Sequence, residues 1–153
     1  VSKLLQIAKQ EGRLVLIDPK GDDYKKYQGA DMITPNRSEL KAVIGNWQNE
    51  KELTKKAMAL REKLHIKSLL LTRSEEGLSL YQHHWSGHDA TVPQEVFDVS
   101  GAGDTIIAVA TLALATGLSN QLLMRIANIA AGVVVSKLGT ATCSKVELMQ
   151  KLL

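Results

Sequence analysis

Short β-rich apolar runs alternate with helix-period segments along most of this chain, and that alternation restricts the folds open to it. Residues 13–17 (RLVLI) and 66–72 (IKSLLLT) are apolar nearly throughout, as strands are when helices cover both faces. Residues 31–34 (DMIT) make a further short strand, closed by Pro35. Helical segments follow at 36–44 and 51–64; in the second, Leu53, Ala57, Leu60 and Leu64 fall on one stripe. Residues 77–82 and 89–92 read as an edge strand pair, with His83, His84 and His88 around an exposed connection. Two apolar helices, 104–116 and 120–137, flank Gly117, and a short helix covers 144–153. Such an order means βαβ units and a mostly parallel sheet in one α/β domain, without linker or internal repeat.

Composition narrows the function classes. The 153 residues suffice for one domain with a core, and an aromatic content of 4% makes that core aliphatic. A formal charge of +3, with no interleaving of basic and aromatic residues, argues against a nucleic-acid partner and suits a phosphorylated small molecule. The single Cys143 excludes an internal disulfide. The longest apolar run, 105–118, falls short of the ~20 residues that span a bilayer and reads as a buried core helix. No signal peptide is visible, so a cytoplasmic protein without a membrane partner is expected. Residues 1–11 already look helical, with Leu4, Leu5, Ile7 and Ala8 on one face, and a chain that opens inside an element is expected to be a fragment.

Three stretches could carry chemistry. Ser100-Gly101-Ala102-Gly103-Asp104 opens an apolar helix; glycines free the backbone N–H groups, and the helix N-terminus favours an anion. The same residues also suit a plain loop with an N-cap, which stabilises by about 1 kcal/mol. The turn lacks the third glycine of a dinucleotide fingerprint, the Lys of a Walker loop and the first glycine of a nucleophile elbow. Asn36 and Glu39 form a helix capping box; they also follow a strand end, where they could hold Mg²⁺ through water. Residues 72–77 (TRSEEG) follow another strand end and offer a hydroxyl, backbone donors and an arginine to a nucleotide, or simply a polar approach to a hairpin. Lys20, beyond the first strand, is a candidate phosphate contact.

In this order, DVSGAGD at an apolar helix, the earlier N-x-x-E, the Thr-ended strand, and the later ANIAAG and KLGT resemble the ribokinase-like (PfkB) sugar kinases over essentially the whole chain. IDPKG, TPNRSEL, LLLTRSEEGLSL and VFDVSGAGDT point within that family to the bacterial enzymes that phosphorylate D-glycero-β-D-manno-heptose 7-phosphate for ADP-heptose and lipopolysaccharide core precursors. Ribokinase-type, phosphofructokinase-type or non-catalytic nucleotide-binding readings stay open. The resemblance implies a three-layer ribokinase-like sandwich, here its ATP-side half without the N-terminal half and lid, inactive alone and a homodimer when complete. It implies ATP and a sugar phosphate as ligands, with Mg²⁺ and in several members K⁺. Asp104 matches the catalytic base, and the N–H groups of Gly101, Ala102 and Gly103 the anion hole. Asn36 and Glu39 match the Mg²⁺ and phosphate motif. Thr72 and Gly77 match the nucleotide-side turn, where Ser74 stands in place of the Gly of many members. Asn128 and Gly139 match adenine-pocket positions, and Asp98 and Ser100 a monovalent-cation site.

Overall fold

Three strands, β1 (Leu16–Ile17), β2 (Met32–Ile33) and β3 (Ser68–Thr72), run in parallel in a computed structural model that describes residues 1–152. Met32 aligns with Leu16 on one side and Ser68 on the other. β4 (Leu78–Gln82) and β5 (Trp85–Asp89) extend the sheet in the order β1-β2-β3-β4-β5. Joined by two residues, β4 and β5 form a hairpin, so the sheet is mixed.

The chain separates into two units, Val1–Arg73 with Ser79–Gly87, and Ser74–Leu78 with the residues from His88 onward. In the first, α1 (Ser2–Gln10), α2 (Arg37–Ile44) and α3 (Glu50–Lys63) accompany the strands. Its core joins Ile33, Leu69 and Leu71 of the sheet to Leu40, Leu53, Ala57 and Leu60 of the helices. The α3 stripe read from the sequence is therefore its packed face. Helix starts are set locally: Asn49 accepts the Glu52 N–H at 2.9 Å to cap α3. α1 buries Leu5 alone, and Leu4 and Ile7 of its apolar face are exposed.

The second unit contains α4 (Ala102–Ala115), α5 (Asn120–Val135) and α6 (Lys145–Leu152). α5 is buried from Ala127 to Val134, where alanines and Gly132 let a neighbour approach closely. α4 departs from the buried helix expected of its composition. It buries a single stripe, Ile106, Ala110 and Ala113, while Leu112 remains 67% exposed.

Two further differences have local causes. β1 starts at Leu16, not Arg13, because the Arg13 N–H closes α1 on the Ala8 carbonyl and the Val15 N–H goes to the Asp31 carboxylate at 2.8 Å. The hairpin's return strand begins at Trp85 rather than at residue 89. His83 and His84 make the whole connection, with His84 in the left-handed region at φ 59° that usually calls for Gly or Asn. Among the described residues, no helix is long and apolar enough to cross a membrane. The expected end of the last helix at residue 153 lies outside the described residues.

Candidate active site

In the first unit, the carboxyl ends of β1, β2 and β3 bring Lys20, Asn36, Glu39 and Thr72 to one end of the sheet. An isolated parallel bridge sets Asn36 beside Thr72, whose N–H donates to the Pro35 carbonyl at 3.0 Å. The capping box is fully made. Asn36 Oδ1 accepts from the Glu39 N–H at 2.9 Å and the Ser38 hydroxyl at 2.7 Å, and Glu39 Oε2 accepts the Asn36 N–H at 2.8 Å. Glu39 Oε1 meets the Lys20 ammonium at 2.8 Å, and Asp18 meets it at 3.0 Å. Glu39 first and Asp18 second hold the Lys20 ammonium well above its ordinary pKa, so Lys20 stays cationic. The Tyr27 hydroxyl fixes the Lys20 backbone, accepting its N–H at 2.9 Å and donating to its carbonyl at 3.1 Å. Nearby, the buried Tyr24 hydroxyl has no hydrogen-bond partner; burial, then Glu39, pushes its pKa up.

In the second unit, the turn before α4 is anchored to the end of α5. The Phe97 and Asp98 N–H groups both donate to the Val135 carbonyl, at 2.8 and 3.3 Å. Asp98 accepts the Ser100 N–H at 2.9 Å. The Ser100 N–H and hydroxyl, then the Gly139 N–H, hold its carboxyl below the usual carboxylate range. Gly139, matched in the sequence to the adenine side, here supports Asp98 in the turn before α4. Gly101 sits at the N-cap of α4 with φ 81°, a left-handed backbone that favours glycine. Thr105 locks it by donating both N–H and hydroxyl to the Gly101 carbonyl at 2.9 Å.

Beyond Gly101 the helix is left open. Side chains of Asn36, Asn49, Ser119 and Ser144 cap α2, α3, α5 and α6, whereas none caps α4. The N–H groups of Gly101, Gly103 and Asp104 have no acceptor among the described residues; that of Ala102 reaches the Val99 carbonyl at 3.3 Å. A Cβ added at Gly103 would meet nothing within 4 Å, so no neighbour requires a glycine there. Asp104 lies exposed in the first turn of α4, beside these free donors.

The remaining sequence candidates are held by protein groups. Ser74 adopts φ 53°, a glycine-like backbone, and its carbonyl accepts from the Gly77 N–H at 3.1 Å. Gly77 is enclosed: a Cβ there would lie 2.1 Å from the Asp89 carbonyl oxygen and 2.8 Å from the Thr91 nitrogen. Asn128, only 8% exposed, donates to the Asp89 carboxylate at 2.7 Å and accepts from the Thr91 hydroxyl at 3.3 Å. It borders a cavity of about 100 Å³ with Val92, Pro93, Gln94 and Gly132. Back in the first unit, Arg73 is turned into the protein rather than offered to a nucleotide, in a bidentate pair with Glu50 at 2.6 and 2.8 Å. Asp89, Thr91 and Gln94 carried no sequence signal, since they follow a strand whose position the turn residues concealed.

The sequence profile of the pfkB family carbohydrate kinases matches residues 1–147. The chain belongs to that family. The bifunctional protein HldE of Pasteurella multocida is 48% identical over 149 residues, covering 97% of this chain and 31% of that protein. HldE of Yersinia enterocolitica is 49% identical with the same coverage. The chain thus spans about a third of the length of these curated relatives. Arabidopsis thaliana ribokinase, solved with ribose and ATP, superposes with a TM-score of 0.89 at 24% identity, covering 98% of this chain and 51% of that one. Escherichia coli phosphofructokinase-2, solved with potassium, gives 0.88 at 20% identity, covering 97% and 50%. The fold is ribokinase-like, and the chain corresponds to about half of it.

Two predictions concern how the turns are held. Gly77→Ala should destabilise by roughly 2–5 kcal/mol, from overpacking and a left-handed backbone together, measured by chemical denaturation. In α6, the Lys137 ammonium, then the Ser144 N–H and hydroxyl, hold the Glu147 carboxyl down at about 2 instead of 4.5. A lowered folded pKa contributes stability above the ordinary value and loses it as pH falls through the folded value. Stability should therefore fall between pH 4.5 and about 2, and Glu147→Gln should flatten that limb of the pH–stability curve.

Proposed function

We propose that this chain supplies the phosphate-transfer half of an ATP-dependent kinase that phosphorylates D-glycero-β-D-manno-heptose 7-phosphate at O1, in the formation of ADP-heptose precursors of lipopolysaccharide. The observation that carries the reading is the uncapped start of α4, with free N–H donors and the open Gly103 beside an exposed Asp104. The identity to HldE proteins favours heptose phosphate over the ribokinase and phosphofructokinase substrates, whose structures share the fold at lower identity.

Asp104 takes the proton from the sugar hydroxyl as its oxygen attacks the γ-phosphorus of ATP. The bond to the β-phosphate oxygen breaks, and ADP leaves with the electron pair. Phosphoryl transfer asks for positioning and charge stabilisation rather than covalent help. The N–H groups of Gly101 to Gly103, with that of Asp104, meet the charge on the transferring group, and the helix end adds to them.

Mg²⁺, when bound with the nucleotide, neutralises phosphate charge. Glu39 fits a water-mediated contact: each of its oxygens accepts one donor and keeps a lone pair to share. Asn36 acts by setting Glu39, because its own oxygen is taken up in the cap. Lys20 faces the same end of the sheet as the phosphate contact. Thr72, Ser74 and Gly77 shape the nucleotide turn, and Asn128 rigidifies the wall of the cavity that receives the base. Asp98 and Ser100 hold the anion-site turn; a monovalent cation there would share a carboxylate that already accepts from Ser100 and Gly139, and no step depends on it.

Transfer needs the sugar half of the fold, so the test uses a protein that joins this chain to that half. Asp104→Asn should lower kcat at least about a thousandfold while leaving ATP affinity within about twofold, since general-base loss acts on the chemical step. Near-normal kcat would refute the base. Faster turnover of ribose or fructose 6-phosphate than of the heptose phosphate would favour the alternative kinase. Gly103→Ala should stabilise the helix by about 1 kcal/mol in thermal unfolding and weaken anion binding, read by titration with inorganic phosphate.

A further inference from the structure

A second anion site lies in the first unit, away from the carboxyl ends of the strands. A cavity of about 510 Å³ is lined by Lys9 and Gln6 of α1, by Lys25, Lys26 and Gln28 of the turn before β2, and by His65 after α3. Among the described residues, no carboxylate lines it. Gly29 and His65 immediately precede β2 and β3, and the Gly29 N–H donates to the Leu64 carbonyl at 2.9 Å, so the floor of the cavity is the amino end of the parallel strands. Lys20, Asn36, Glu39 and Thr72 follow the opposite, carboxyl ends.

Lys20, Lys56, Lys67 and Lys137 each pair with a carboxylate at 3.0 Å or less. Lys9 and Lys25 line the cavity and have no ion pair among the described residues. The Lys9 ammonium folds over Gly29, so closely that a Cβ there would clash with it. Gly29 is left-handed at φ 81°, a backbone that favours glycine. Lys26 also lines the cavity, but its ammonium is taken up by the Lys20 carbonyl at 2.9 Å. His65 takes φ 50°, a backbone rarely kept by a residue with a side chain, and this conformation directs the chain around the cavity rim.

We propose that this cavity binds a small polyanion, a molecule carrying a phosphate ester or diphosphate, with the ammonium groups of Lys9 and Lys25 on its oxygens. Two ammoniums without a carboxylate exceed what one monoanion neutralises, and lysine serves phosphate as a point charge. Gln6 and Gln28 supply the hydrogen bonds that select for shape. The site is independent of the transfer chemistry at Asp104.

The test is a titration of the isotope-labelled 153-residue chain with inorganic pyrophosphate, followed by backbone amide chemical shifts. Saturable shifts are expected at Lys9, Lys25, Gly29 and His65, resolved from any at residues 101–104. Lys9→Gln with Lys25→Gln should weaken binding at the first group about tenfold or more, because each lost charge-assisted contact is worth at least that factor, and should leave the second group unchanged. Lys3→Gln with Lys55→Gln, which removes the same charge from exposed positions elsewhere, should leave both unchanged, and Lys9→Arg with Lys25→Arg should retain binding. Absence of saturable shifts at the cavity, or an equal loss in the two glutamine pairs, would overturn the site. Co-sedimentation with phosphatidylglycerol vesicles that needs Lys9 and Lys25, without pyrophosphate binding, would overturn the small-molecule ligand in favour of a lipid surface.

Discussion

The last turn of α5 is the fixed point from which the 96–104 turn is built. The Val135 carbonyl takes two N–H groups from it, and the Gly139 N–H reaches Asp98. A loop with two glycines in three residues would otherwise sample many backbone states, at about 1–2 kcal/mol per residue to order it. α5 can serve as an anchor because Ala127 to Val134 are buried. The donors at the start of α4 are thus aimed before any ligand arrives, which is the condition under which backbone dipoles stabilise developing charge well.

That arrangement is made at the expense of helix stability. Four helices receive a side-chain cap and α4 receives none. A cap is worth about 1 kcal/mol, and Gly103 within the first turn costs a similar amount against alanine. Neither choice is explained by packing, since the space beside Gly103 is open. α1 too lacks a side-chain cap; what sets α4 apart is that its open start also carries a glycine with free space beside it, a break in local rules of the kind expected at a functional turn. In the proposed function, a bound anion would supply what the missing cap does not.

Features governed by neighbours in sequence were legible from the residues. The α3 stripe, the Asn36–Glu39 box and the buried third strand each depend on spacings of two to four residues. The hairpin was misplaced because His83-His84 adopts a turn backbone without turn chemistry. The single buried stripe of α4 escaped notice because its alanines and leucines look alike on every face, and only packing distinguishes Ala110 from Leu112. Asn128 was recognisable as a polar residue in an apolar helix, but its partners, Asp89 and Thr91, lie almost forty positions earlier. The same distance conceals the link between Gly139 and Asp98, two positions that the motif order had assigned to different parts of the site.

Under the proposed reading, the charges around Lys20 constrain how a nucleotide would be met. Asp18 and Glu39 share the Lys20 ammonium, and the Lys26 ammonium lies 2.9 Å from the Lys20 carbonyl. Lys20 could turn to a phosphate only by leaving two carboxylates without that cation. A divalent cation arriving with the nucleotide would take its place beside Glu39 and free Lys20 to contact an oxygen. Lys20 and Glu39 would then act as one charge-exchanging pair, with Tyr27 holding the Lys20 backbone through both of its hydroxyl bonds.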